Sequence, residues 1–198
     1  MNFYSYMPSP IGRLLLVSDQ SSLTGLYMDT GIDHVGSADQ PSDHLPVFEE
    51  AKKQLNAYFE KDLSEFDLPL KLTGTEFQKS VWSALRSIPY GAVTSYGALA
   101  RLIGNEKAVR AVGLANSKNP ISIVIPCHRV IGANGTLTGY GGGLERKEFL
   151  LALERGQTSL LAWSSAQNGD FPAGGKKLRI ANKHCLGDVA SRIETRVR

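Results

Sequence analysis

The chain has 198 residues, 42% hydrophobic and 21% charged, with two cysteines, Cys127 and Cys185, and a formal net charge of +3. Those values exclude a disordered or fibrous chain and a disulfide-stapled mini-protein. No apolar run nears the roughly 18 residues of a membrane span, and the start, MNFYSYMPSPIGRLLLVSDQ, lacks a basic leader, so a cytoplasmic protein with reduced thiols and no membrane partner is expected.

Residues 2–7 and 13–18 read as strands around the Pro8–Gly12 turn, and residues 23–28 as a third strand. Residues 29–46 are polar and read as a long loop. Val47, Ala51, Leu55, Tyr58 and Phe59 then recur at helical spacing, predicting a helix over 46–61. Residues 1–70 are therefore expected to form a small α/β domain.

The pattern changes after residue 70. Thr75 and Gln78 fit a capping box ahead of a helix with Phe77, Val81, Trp82 and Leu85 on one face. Thr94 and Ser95 can cap a second helix over 96–103, Gly104 breaks it, and Asn105 can cap a third over 106–116. Two short helices around a glycine turn resemble a helix-turn-helix. The third is crowded with small residues, Ala108, Ala111, Gly113 and Ala115, around one long cation, Arg110. Close helix packing explains such residues; so does close approach to a polyanion, with the arginine at a phosphate or between bases. Residues 157–198 show no sustained period and are expected to be a flexible tail.

Charge divides along the same lines. Residues 1–70 hold 4 Lys and Arg against 11 Asp and Glu; residues 71–154 hold 10 against 5, and residues 155–198 hold 8 against 3. A basic second part beside an acidic first part suits contact with a polyanion, a chance imbalance of solvated faces being the alternative.

Residues 121–125, Ile-Ser-Ile-Val-Ile, read as a short buried strand that Pro126 ends with a turn. After that turn Cys127 and His128 can face one cavity. The thiolate is the nucleophilic form of cysteine, so a neighbouring base, His128, and a neighbouring charge, Arg129, would activate it. A carboxylate should orient the base. Glu145, Glu148 and Glu154, on or near a helix over 144–153, are the candidates. An inert buried cysteine and a satisfied core histidine are the competing explanation. No metal site is expected, since no second cysteine lies at ligand spacing. Gly141–Gly143 lacks a phosphate-loop context and reads as a flexible lip.

Ile-Pro-Cys-His-Arg-Val (125–130) resembles the hallmark of the O6-alkylguanine-DNA alkyltransferases, the methylated-DNA–protein-cysteine methyltransferases. Phe77-Gln78, Val81-Trp82, Tyr90-Gly91, residues 95–100 (SYGALA), residues 108–113 (AVRAVG), Asn119-Pro120, Gly139–Gly143 and residues 147–151 (KEFLL) match in the same order. The likeness is strong over about 70–156 and weaker over 1–70. It implies an RNase H-like α/β domain (1–70), a mostly helical alkyltransferase and DNA-binding domain with a winged-helix-like helix-turn-helix (71–156), and the tail (157–198).

The resemblance also implies an irreversible transfer of an alkyl group from O6 of guanine, with O4 of thymine as a second target, to Cys127, each molecule acting once without a cofactor. His128 would take the thiol proton through a water, with Glu154 orienting it and Asn119 bracing the network. Tyr96 would rotate the nucleotide out and help protonate the leaving base. Arg110 would fill the gap in the stack. Gln78, Asn105, Ala108, Ala111, Gly113 and Ala133 would contact DNA, and Pro120, Val130, Tyr140, Gly141 and Gly142 would line the substrate pocket. The partner would be double-stranded alkylated DNA, bound through its minor groove by a monomer. Some relatives carry serine where this chain has Gly141, which suggests a roomier lip. A lesion-binding module without transfer is the main rival, and Cys127 argues against it. A Cys-His hydrolase would leave Arg110 unexplained.

Overall fold

The computed structural model describes residues 2–29, 34–37 and 39–157. The expected tail, 157–198, lies outside the described residues from 158 onward.

Strands β1 (Phe3–Met7), β2 (Leu14–Ser18) and β3 (Leu23–Met28) form an antiparallel meander in which Phe3 pairs with Ser18 and Leu14 with Met28. The β1–β2 turn closes through Gly12 at φ 99°, a backbone region that glycine enters without cost. A fourth strand, β4 (Gln40–Pro41), runs parallel to β1 and corrects the expectation of one long loop. It is two residues long and exposed, too short to carry a period, and its proline is tolerated because it lies at the sheet edge.

Helix α1 (Pro46–Glu60) opens with proline at its start and ends at Lys61 in the left-handed conformation. It buries Phe48, Ala51, Leu55 and Tyr58 in the same core as Leu14, Leu16, Leu23 and Leu26 of the sheet. That core continues into α2 (Glu76–Arg86) through Val81, Trp82 and Leu85, and into α5 (Leu144–Glu154) through Phe149, Leu150 and Leu153.

Both halves of the Thr75–Gln78 capping box are present. Trp82 is buried, and its indole N–H donates to the Ala115 carbonyl at 2.9 Å, which ties α2 to α4 (Val109–Ser117). Ser95 caps α3 (Tyr96–Leu102), accepting from the Ala98 N–H at 3.1 Å. Asn105 does not cap as expected. At φ −136° and ψ 74° it is outside cap geometry, so residues 106–108 form a 3-10 turn and α4 begins only at Val109. Helices α3 and α4 form the helix-turn-helix, flanked by the pair β5 (Thr94–Ser95) and β6 (Val130–Ile131). Among the described residues no helix is long and apolar enough to cross a membrane.

The expected strand over 121–125 is absent. Only isolated bridges form, Leu26 with Ile121 and Ser122 with Ile125. The chain leaves β3 because Ile123 adopts φ 70°, and the Val124 N–H donates to the Ser122 carbonyl at 2.8 Å across it. A β-branched residue in this region is a strained outlier. Pro126, at φ −81° and ψ 63°, makes a second tight turn, with the Cys127 N–H donating to Ile125 at 2.8 Å. That is the favourable inverse γ-turn.

Candidate active site

These two turns present a buried 3-10 turn over Cys127–Arg129. Cys127 is a free thiol, 4% exposed, at the floor of a cavity of about 360 Å³. Asn116, Asn119 and Pro120 form one wall and Tyr140, Gly141 and Gly142 another. Tyr27, Met28 and His34 reach it from the first half of the chain, with the Tyr27 and His34 rings stacked at 4.0 Å. Asn119 braces the floor. Its side chain accepts from the Ile121 N–H at 3.1 Å and donates to the Ile125 carbonyl at 2.8 Å.

Burial pushes the Cys127 thiol up from its ordinary value; a hydrogen bond from Asn119 and the charge of Lys147 pull the other way. Lys147 has its side chain fully buried and donates to the carbonyls of Val130 at 2.7 Å and Thr138 at 2.9 Å. Burial lowers it to about 8, with the facing Cys127 thiolate opposing the shift. Lys147, not Arg129, is the cation beside the thiol. This corrects the sequence expectation, because Arg129 turns away to Glu154. Tyr140 is half-buried with its hydroxyl enclosed near Cys127, and burial of that hydroxyl first, then the thiolate, raise it well above the usual phenol value.

Behind the thiol lies a polar cluster on Glu154. Its carboxylate accepts from His128 Nε2 at 2.8 Å, Tyr58 Oη at 2.8 Å and the Gly91 N–H at 3.0 Å. Arg129 adds a forked pair, Nε and Nη2 each at 2.9 Å, and sends Nη1 to the Ile88 carbonyl. Burial opposes ionisation of Glu154, but His128 and Arg129 outweigh it and hold the carboxyl well below its usual range. Burial lowers His128, with Glu154 opposing. The Arg129 fork gives Glu154 a cationic partner that does not depend on protonation of His128. An ionised carboxylate only accepts, so Nε2 carries the proton and Nδ1 holds the lone pair. Nδ1 is buried with no protein partner, and is therefore the nitrogen free to act as a base. Glu154 is the carboxylate that reaches His128; Glu145 is exposed and Glu148 half-buried, and neither bonds to it.

Gly91 is held at φ 73°, and a Cβ there would stand 3.1 Å from the Glu154 carbonyl oxygen. Gly91→Ala is expected to lower unfolding free energy by about 1–3 kcal/mol, since strain and a backbone contact add. Urea unfolding measures it, and an unchanged midpoint would refute it.

The residues expected at DNA lie outside the cavity. Arg110, Ala111, Asn105 and Ala133 are exposed; Ala108, Gly113, Gln78 and Tyr96 are half-buried. The Arg110 side chain, on α4, makes no hydrogen bond or ion pair among the described residues. The Gln78 carbonyl oxygen is already committed to the Thr75 N–H. Gly113 packs α4 against the Tyr96 ring, and Tyr96 Oη accepts from Thr138 Oγ1 at 3.4 Å. Val130 does not line the cavity. It is buried in β6, where its carbonyl serves Lys147. Sequence reasoning missed Lys147 and Asn116. Lys147 was detectable: it shares one helical face with Leu150, Leu151 and Glu154. Among the described residues no cluster could hold a metal ion.

Residues 2–72 match the family model for the 6-O-methylguanine DNA methyltransferase ribonuclease-like domain, and residues 76–156 the model for the DNA binding domain of the same name. A methylated-DNA–protein-cysteine methyltransferase of Methanosarcina acetivorans is 53% identical over 152 residues, covering 77% of this chain and 97% of the relative. One of the same name from Haemophilus influenzae is 49% identical over 154 residues, covering 77% and 86%. The crystal structure of Mycobacterium tuberculosis OGT in complex with DNA superposes with a TM-score of 0.75 at 49% identity, covering 82% of this chain and 99% of that one.

Proposed function

The chain belongs to the 6-O-methylguanine DNA methyltransferase family, and from that premise we propose that Cys127 receives the alkyl group. The protein repairs alkylated DNA by direct transfer from O6 of guanine to a cysteine of its own. Cys127 is the free thiol of the cavity floor, and this is the observation that carries the assignment. The sulfur attacks the alkyl carbon as the carbon–O6 bond breaks, and the electron pair leaves on the purine. A thioether remains, which no group in the cavity can cleave, so each molecule turns over once.

Neutral His128, its tautomer fixed by Glu154, takes the thiol proton at Nδ1 through a bridging water. Charged Lys147 stabilises the thiolate against burial. Tyr96 receives a hydrogen bond from Thr138, which leaves its own proton for the departing guanine. The reaction needs a reduced thiol, which supports a cytoplasmic setting.

A base in duplex DNA must leave the stack to reach a buried thiol. We assign that work to α4, bound in the minor groove as a monomer. Its outward face presents Arg110, Ala111 and Leu114, the last 59% exposed. Arg110 fills the gap. Unstacking costs a few kcal/mol, so Arg110→Ala should slow repair of duplex O6-methylguanine roughly 10- to 100-fold. Reaction with the free alkylated base should not change, and equal losses on both substrates would refute the role. The function itself is tested by following lesion loss with excess duplex: repair should stop at one lesion per protein molecule, and continued turnover would exclude it.

A further inference from the structure

We propose that Asn116 is a specificity-determining residue, its side-chain oxygen accepting a hydrogen bond from the exocyclic 2-amino group of the flipped guanine. The inference rests on the transfer reaction assigned above and names what that pocket reads.

Asn116 and Asn119 stand on the same cavity wall, both buried, at 3% and 7% exposure. Asn119 uses both ends of its amide on the backbone. Asn116 uses one. Its Nδ2 donates to the Cys127 carbonyl at 3.4 Å, and a carbonyl can face only the donor end of an amide. That contact fixes the orientation and leaves Oδ1 buried with no partner. A buried acceptor without a donor is costly, and one at a ligand cavity marks where a ligand donor belongs.

The chemistry of the lesion names the donor. Alkylation at O6 removes the N1 proton of guanine, so N1, N3, N7 and O6 are all acceptors. The 2-amino group is then the base's remaining N–H donor. O4-alkylated thymine has lost its N3 proton and carries none, so in this pocket it leaves Oδ1 unpaired. A site built to accept a hydrogen bond disfavours a substrate that cannot give one. The pocket therefore favours alkylated guanine over alkylated thymine.

The test compares single-turnover transfer from three duplexes, bearing O6-methylguanine, O6-methylhypoxanthine (the same base without the 2-amino group) and O4-methylthymine. The wild-type protein should react with the first roughly 10- to 100-fold faster than with the second. Asn116→Ala and Asn116→Leu should bring that ratio to within about threefold of unity. A merely structural Asn116 would slow all three substrates together and leave the ratio intact, which overturns the proposal. So does a wild-type ratio near one, a result that needs no variant to fold. Absence of transfer from every duplex would refute the assignment of Cys127 instead.

Discussion

Glu154→Gln is expected to lose about 3–5 kcal/mol of unfolding free energy together with most of the transfer rate. The carboxylate gathers Arg129, His128, Tyr58 and the Gly91 N–H around two oxygens. An amide of the same shape removes the charge that Arg129 faces, and leaves a buried guanidinium without its counter-ion. It also turns an N–H₂ toward donors. Glu148→Gln, on the same helix but outside the cluster, should change neither quantity. The pH dependence follows by linkage. The folded carboxyl lies below its unfolded value, so its contribution is present above the ordinary carboxylate range and is lost as pH falls through the folded value. His128 is also lowered, so the unfolded chain takes up its proton first, and stability begins to fall below about pH 6.5. Urea unfolding across pH checks both parts; a loss under about 1 kcal/mol at neutral pH would mean that the cluster does not hold the site together.

His128→Ala is expected to slow transfer roughly 100- to 10,000-fold at neutral pH, the usual worth of a positioned general base. Burial pushes the Cys127 thiol up, so few molecules carry a thiolate without help. The variant should recover as pH rises and the thiol ionises unaided. The wild-type profile should be bell-shaped. Its acid limb reports protonation of His128, below the ordinary histidine value, where the base is lost. Its alkaline limb falls near pH 8, where Lys147 gives up the charge that favours the thiolate. Lys147→Met should be slower throughout and lack that alkaline limb. Single-turnover rates across pH decide it. A Met variant that keeps the limb would remove Lys147 from the chemistry, and a His128→Ala rate near wild type would remove the base.

How much of this could be read from the residues depends on how local the determinants are. The capping box at Thr75 and the Ser95 cap are set by side chains three residues from their partners, and both were legible. The Cys-His turn was legible in outline because proline imposes it. The strand expected over 121–125 failed because its β-branched run encodes burial, while Ile123 takes its positive φ from the docking of 120–122 on β3. β4 escaped notice because two residues carry no period. Arg129 was misplaced for the same reason that Lys147 was missed. Adjacency in the chain put the arginine by the thiol, whereas the fold sends it to a carboxylate 25 residues on and brings in a lysine from that carboxylate's own helix. Asn116 gave no signal, since an unpartnered oxygen exists only once the cavity has formed.

Intact-protein mass spectrometry with peptide mapping decides whether Cys127 itself is the acceptor. After incubation with excess duplex carrying O6-methylguanine, the protein should gain the mass of one methyl group and no more. The methyl should map to Cys127, and Cys127→Ser should gain nothing. An unmodified protein still bound to the lesion, or a methyl group on another residue, would rule out Cys127 as the acceptor.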